Sequence, residues 1–333
     1  MSGRVYITRP IPGAGPERIG RVAKVITADR DEPMDAEALR GALRAADPDA
    51  VICMLHDKVD ASVFDAIPRC RMFANFAVGF NNIDVAEATR RGIVVTNTPG
   101  VLTEATADLT WTLILAVARL VVGGDQIMRA EAFPGWGPNY MLGGDVSRQT
   151  LGLVGPGRIA SAVAERAKGF RMPILYAGRR DRPELNALGG KKIDLDALLT
   201  QSDFVSLHVP LTPETHHLID SRGLGRMKPT AYLINTSRGP VVDEAALVEA
   251  LRSRTIAGAG LDVYEREPAM AAGLAACENA VLLPHLGSAT FRTRDEMSEL
   301  VAANVEAMLG GRRPECLVNP EVWPEGQPAP RSP

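Results

Sequence analysis

No apolar run in this chain reaches the ~20 residues that a helix needs to cross a bilayer. The longest of note, residues 113–122, is interrupted by Arg119. No block of lysine or arginine is present and the formal net charge is −3, so nothing electrostatic points to nucleic acid. Cys53, Cys70, Cys277 and Cys316 are scattered, with neither the C-x-x-C spacing of a zinc site nor a disulfide framework. They read as structural thiols in a reducing compartment. Residues 4–8 are strand-like and no apolar signal core precedes them. The expectation is a cytoplasmic protein with no metal, no membrane and no nucleic-acid partner.

What is present is an ordinary globular composition, with 46% hydrophobic and 23% charged residues. At 333 residues, two domains are expected, because single cores rarely outgrow about 250–300 residues. Short apolar runs fall at 5–8, 50–55, 72–77 and 93–96, and again at 151–154, 174–177, 204–207, 231–235, 257–261 and 280–283. Runs of this kind suit parallel strands buried on both faces. Helical patterns lie between them at 35–45, 84–91, 158–169, 195–199 and 244–253, and a last one at 289–309. A long apolar helix is expected from Thr103 to about Met128, after the Pro99-Gly100 break. The tail, 324–333, is too rich in proline and polar residues to pack.

Strand and helix alternating twice over predict an α/β protein of two Rossmann-like, doubly wound parallel-sheet domains with a cleft between them. The expected division is 1–99 with 290–333, a substrate domain, and 100–289, a dinucleotide-binding domain. The long helix would cross between them and the last helix would return.

Gly155-Pro-Gly157-Arg-Ile-Ala160 follows an apolar strand and opens a helix, a G-x-G-x-x-A pattern. The first glycine permits the tight turn, the second lets backbone approach a pyrophosphate, and the small third residue lets helix and strand pack. The helix N-terminus then offers N–H groups to phosphate. The next strand ends in Ala177-Gly178-Arg179-Arg180, with no carboxylate before Asp181. An NAD site wants an acid there for the ribose 2′-OH, whereas two arginines suit a 2′-phosphate. NADP(H) is therefore the expected cofactor, with NAD the alternative if both arginines are merely solvated.

Three polar residues follow later strands: Arg238, a glutamate at 265 or 267, and His285. Ligands of open α/β sheets bind at the strands' carboxyl ends. Arginine can hold a substrate carboxylate and polarise a keto group. Histidine can give a proton to the forming alkoxide. A carboxylate beside a histidine orients its ring and favours its charged form. The trio points to reduction of a small 2-keto acid. No other titratable cluster in the sequence offers a rival: His216 and His217 read as loop-surface residues, and His208 as either structural or cofactor-lining.

These residues sit in stretches that resemble the D-isomer-specific 2-hydroxyacid dehydrogenases, and among them the glyoxylate/hydroxypyruvate reductases. The stretches include Ala77-Val-Gly-Phe-Asn-Asn-Ile-Asp84, Thr96-Asn-Thr-Pro-Gly-Val101, Ser206-Leu-His-Val-Pro-Leu-Thr212, Ile234-Asn-Thr-Ser-Arg-Gly239 and Pro284-His-Leu-Gly-Ser-Ala-Thr290. The resemblance implies Arg238, Glu267 and His285 as the catalytic trio, Glu267 being the acid before proline. It implies cofactor contacts from Gly155, Pro156, Gly157, Arg158, Ile159, Gly178, Arg179, Arg180, His208, Pro210, Thr215, Thr236, Asp262 and Gly287. It implies substrate contacts from the N–H groups of Val78 and Gly79, from Arg238, and from Leu55, Ser288 and Trp136. Ala160 replaces the usual third glycine, Phe80-Asn81 replaces a Tyr-Asp pair, and Pro156 removes one N–H donor.

The helix from Thr103 is apolar almost all round, more than one domain face needs. In the resembling family this region builds a two-fold dimer, so a homodimer is expected, with Trp136 at or near the neighbour's active site. The alternative is that Trp136 packs within its own chain. Two other functions stay open: an NAD-dependent dehydrogenase of another D-2-hydroxy acid such as phosphoglycerate, and a non-catalytic nucleotide-sensing binding protein.

Overall fold

The computed structural model describes residues 3–323 and residue 326. Nearly all of the proline-rich tail for which disorder is expected falls outside them. The chain divides into two compact units, Met1–Leu102 with Thr290–Pro333, and Thr103–Ala289.

The first unit carries strands β1 (Gly3–Ile7), β2 (Ala23–Thr27), β3 (Ala50–Cys53), β4 (Met72–Asn75) and β5 (Val94–Thr96). All pairs are parallel, in the order β2-β1-β3-β4-β5. The sequence pattern supplies four of these. It misses β2 because only Ala23 of that edge strand is fully buried, so Ala-Lys-Val-Ile-Thr does not read as an apolar run. By contrast β3, β4 and β5 are buried at every residue. Asp35 and Asp84 cap the helices Ala36–Ala46 and Val85–Arg90 by accepting from first-turn N–H groups. The helix Phe291–Leu309 packs in this same unit, where Arg18 donates to Glu299 and Glu306 on it. Asn319 finishes the tie, accepting from the Val95 N–H and donating to the Ile93 carbonyl.

The second unit carries β6 (Leu151–Val154), β7 (Ile174–Ala177), β8 (Lys191–Lys192), β9 (Phe204–Leu207), β10 (Tyr232–Asn235), β11 (Gly258–Leu261) and β12 (Ala280–Leu282). These are parallel too, in the order β12-β11-β10-β9-β6-β7-β8. The sequence pattern lacks β8, two exposed lysines at the sheet edge. From β6 the chain first winds outward to β8, then returns to β9 and winds the other way. The switch point therefore lies between β6 and β9, where such sheets leave a crevice. The equivalent point of the first unit lies between β1 and β3.

The long helix differs from expectation. It runs Thr103–Ala118, breaks at Leu120 with φ +55°, and resumes as Val121–Arg129 at 66° to the first piece. No single helix among the described residues is long and apolar enough to cross a membrane. The first piece is enclosed by its own unit, packed on the helix Arg158–Ala167 and on β10, β11 and β12. Much of its apolarity is therefore taken up inside its own unit, with Leu109 and Leu115 left half-buried. The second piece buries none of its residues.

Candidate active site

The turn after β6 is built as the glycine pattern requires. Gly155 has φ +88°, and a Cβ there would lie 2.7 Å from the Val209 nitrogen. Only glycine lets this turn meet the loop leaving β9 at the switch point. Gly157 then opens the helix Arg158–Ala167 with no side-chain cap, which leaves first-turn N–H groups for a phosphate. Ala160 is fully buried beneath the turn. Arg158 is exposed and Ile159 half-buried.

At the end of β7, Gly178, Arg179 and Arg180 are exposed. The first acid, Asp181, is already engaged. It accepts from the Tyr176 hydroxyl at 2.6 Å and from Asn186 Nδ2 at 2.9 Å. These bonds, led by the one from Tyr176, hold its carboxyl below the usual range. Neither arginine side chain makes a hydrogen bond or ion pair within 4 Å among the described residues. Glu214, held low first by Thr212, also feels the charge of Arg179. The uncapped helix start and two uncommitted guanidiniums fit a dinucleotide carrying a 2′-phosphate. Pro210 and Thr215 belong to one knitted loop: the Thr215 hydroxyl donates to the Pro210 carbonyl at 2.6 Å and accepts from the Thr212 N–H at 2.8 Å.

Two histidines stand at strand ends, and their surroundings differ. His208 Nε2 lies 2.9 Å from Ser206 Oγ, and desolvation lowers its pKa to about 3, with no carboxylate to oppose it. Burial thus favours its neutral form. His285 instead has its Nδ1 2.9 Å from Glu267 Oε2. The other oxygen of Glu267 accepts from the Tyr264 N–H at 3.0 Å, and the Tyr264 hydroxyl donates to Leu283 two residues before the histidine. Of the two glutamates it is Glu267 that meets His285, whereas Glu265 pairs with His217 Nε2 at 2.8 Å.

Arg238 follows β10. Desolvation pulls its pKa down and the charge of Glu267 opposes that. The guanidinium remains charged, as arginine does in proteins, so it is a cation held in poor solvent near the His285–Glu267 pair. A Cβ on Gly239 would lie 1.8 Å from the Tyr264 carbonyl carbon, so glycine is needed for the Arg238 loop to abut the glutamate segment.

Behind this trio sits Asp262, 1% exposed. It accepts from the Leu286 N–H at 2.6 Å and the Gly287 N–H at 2.8 Å. His285 itself has φ +57°, a conformation uncommon for a side-chain-bearing residue. Asp262 ties down the two amides that follow it. Burial raises the carboxyl's pKa, against those two donors. The helix Thr103–Ala118 contributes two threonines that sequence reasoning missed. Thr106 donates to the Gly287 carbonyl at 3.0 Å, and Thr110 Oγ1 lies 2.9 Å from Thr236 Oγ1. Polar residues four apart on an otherwise apolar helix were the available signal. Ser288 is half-buried, next to this turn.

In the first unit, Val78 and Gly79 lie in a loop whose carbonyls are all occupied. Ala77 accepts from the Thr98 N–H at 2.9 Å, Val78 from Asn97 Nδ2 at 2.7 Å, and Gly79 from Asn75 Nδ2 at 2.7 Å. Across a trans peptide the following N–H points the opposite way. The N–H groups of Val78, Gly79 and Phe80 thus face away from these donors, and none has an acceptor among the described residues. Three such N–H groups in succession suit an anion. Leu55 is half-buried in the loop after β3, where Asp57 accepts from the Met54 N–H at 2.7 Å and from the Thr8 hydroxyl.

Trp136 is 86% exposed, so it does not pack within its own chain. The sequence offered no second titratable cluster; the structure corrects this, with Glu265 lying beside His216 and His217.

Residues 111–287 match the family model for the D-isomer specific 2-hydroxyacid dehydrogenase NAD binding domain. A glyoxylate reductase from Thermococcus onnurineus is 48% identical over 327 residues, 97% of each chain. One from Korarchaeum cryptofilum is 49% identical over 325 residues, again 97% of each. Among solved structures, the NADPH-dependent glyoxylate/hydroxypyruvate reductase of Sinorhizobium meliloti, in complex with NADP and malonate, superposes with a TM-score of 0.84 at 34% identity. That match covers 96% of this chain and 97% of the other.

Proposed function

The chain belongs to the D-isomer specific 2-hydroxyacid dehydrogenase family, and from that premise we propose that it reduces small 2-keto acids, glyoxylate and hydroxypyruvate, to D-2-hydroxy acids with NADPH preferred. The observation that carries the reading is the 2.9 Å pairing of His285 Nδ1 with Glu267, beside the desolvated Arg238. A bound reduced nicotinamide supplies a hydride, two electrons, to C2 of the keto acid. His285, fixed through Nδ1, delivers the proton to the C2 oxygen from Nε2. Arg238 draws negative charge to that oxygen and the substrate carboxylate. In the first unit, the N–H groups of Val78, Gly79 and Phe80 are themselves a carboxylate-type donor set. Asp262 holds His285 in its turn, which favours one ring position over many.

NADPH preference rests on Arg179 and Arg180 standing uncommitted where no acid is free to take a ribose 2′-OH. Assembly as a homodimer rests on the later part of the region the sequence suggested: Val121, Val122, Met128, Phe133, Trp136 and Leu142 are all exposed apolar residues of one stretch. The deciding assay measures glyoxylate, hydroxypyruvate and a phosphorylated keto acid, each with NADPH and with NADH. Turnover of the first two, faster with NADPH, is expected. NADPH binding without reduction of any keto acid would replace this reading with that of a nucleotide sensor.

A further inference from the structure

Outside the Arg238–Glu267–His285 trio, one other cluster in the second unit places ligand-type atoms together. The exposed His216, the half-buried His217 and the half-buried Glu265 have ligand atoms all within 4.8 Å of one another. We propose that these three residues bind one divalent ion of the zinc class, with at least one position left to solvent.

The residue types suit such an ion. Two imidazoles and a carboxylate are borderline ligands that favour zinc, copper or nickel over calcium or magnesium, which prefer oxygen alone. The spacing is close to what is required. Two ligands on a tetrahedral zinc, each about 2.0–2.1 Å from the metal, stand about 3.3 Å apart. His217 Nε2 and Glu265 Oε1, at 2.8 Å, need only open slightly. The remaining movement falls on His216, whose ring stacks on His217 at 4.0 Å between centroids. That residue is otherwise exposed, so rotation about its own χ angles gives up only this stacking contact.

Two of the ligands are anchored. His217 has φ +50° and donates its N–H to the Pro240 carbonyl at 2.8 Å. Glu265 accepts at its second oxygen from the Glu244 N–H at 3.3 Å. A site with two fixed ligands and one mobile one loses little entropy on closing. The buried Glu244 carboxyl steadies the Glu265 backbone from the other side, accepting from its N–H at 3.4 Å. An ion there would rest on the same segment that carries Glu267, yet its binding requires no turnover to detect.

The test uses the full chain, stripped with a chelator and titrated with zinc alone by calorimetry, then with cobalt alone by visible absorption. One saturable site per chain is expected, with cobalt bands of tetrahedral type. His216→Ala and Glu265→Gln should each weaken zinc by about tenfold or more, while NADPH binding by both variants stays as in the parent. His216 is exposed, so its variant will fold; unchanged thermal melting checks both. Non-saturating binding at millimolar zinc, or zinc affinity undiminished in both variants, overturns the proposal. Neither result bears on keto-acid reduction, which the turnover assay decides separately.

Discussion

Glu267 holds His285 with one oxygen, at 2.9 Å from Nδ1, while the Tyr264 N–H fixes its other oxygen at 3.0 Å. In the proposed mechanism this leaves Nε2 to face the substrate. His285→Ala should lower kcat for glyoxylate by about 10²–10⁴-fold, the usual worth of a general acid, with NADPH affinity nearly intact by fluorescence titration. Glu267→Gln keeps the Tyr264 bond but turns an NH2 group toward Nδ1, and should cost about 10²-fold in kcat. Parent-like turnover in either variant would end that assignment.

The loop carrying Glu267 is itself clamped. Glu244, 5% exposed, accepts from the Ala271 N–H at 3.2 Å and the Glu265 N–H at 3.4 Å, both on one oxygen. Its other oxygen is buried without a partner among the described residues. A glutamine can present its single carbonyl to both donors, whereas alanine leaves them unsatisfied. Glu244→Gln should keep most of the parent kcat; Glu244→Ala should lower kcat more than it raises the keto-acid KM and should lose about 1–3 kcal/mol of stability. Equal behaviour of the two variants in kinetics and melting would show that the clamp does not matter.

The proposed cofactor preference is tested at Arg179. A charge-assisted hydrogen bond is worth about 1.5–3 kcal/mol, so Arg179→Ala should weaken NADPH by roughly ten- to a hundredfold and NADH little. Equal weakening of both cofactors, or a parent enzyme that already prefers NADH, would remove the arginines from 2′-phosphate recognition.

In the first unit, Asp57 occupies the switch point between β1 and β3 and is 1% exposed. Desolvation raises its carboxyl above the ordinary 3.8, against its bonds from Met54 and Thr8. A folded-state pKa above the unfolded one means the native state holds the proton more tightly. That stabilisation is full below 3.8 and is lost as pH rises through the raised value. Asp57→Asn does not titrate and can still accept both donors. The melting temperature of the parent minus that of this variant should therefore fall as pH rises through that window, then level off. A difference that grows with pH would show that the charged form is the favoured one.

How much of this was legible in the sequence depends on how each residue acts. Gly155, Gly157 and Ala160 are read from spacing because a phosphate turn is a local backbone problem. Only the family resemblance, with its acid before proline, singles out Glu267, but Arg238, His285 and a glutamate at 265 or 267 are read from strand ends because the parallel sheet aims them. Asn75 and Asn97 are not, since their work is to hold the Gly79 and Val78 carbonyls across a loop, and an asparagine near a strand end has many uses. The strand β2 was hidden by its exposed edge, and the break at Leu120 by the apolar residues on both sides of it, with Gly123-Gly124 falling only inside the second piece. Glu265 could be paired with His217 only by folding, which brings together residues 48 apart in sequence.

The same break decides where a partner chain would sit. Had the helix from Thr103 continued straight, its apolar faces would have competed for one core and one interface. Instead Thr103–Ala118 is enclosed, and the residues after the bend are left outside: Val121 is 54% exposed, Met128 59% and Leu142 71%. Phe133 meets Tyr140 at 5.9 Å between ring centroids, and Trp136 lies between them in the chain with its own ring bare. Covering such a cluster is worth roughly 25 cal/mol per Å² of apolar surface, and a second copy brings the same cluster to a two-fold interface. Sedimentation equilibrium should give a dimer at micromolar concentration, and Met128→Asp with Val121→Asp should shift it toward monomer. Trp136→Ala separates assembly from specificity: in a chain that remains dimeric, a changed ratio of hydroxypyruvate to glyoxylate turnover places Trp136 at a neighbour's substrate site. A monomeric parent chain would refute the interface, and a dimer whose Trp136→Ala variant keeps its substrate ratio would refute that placement.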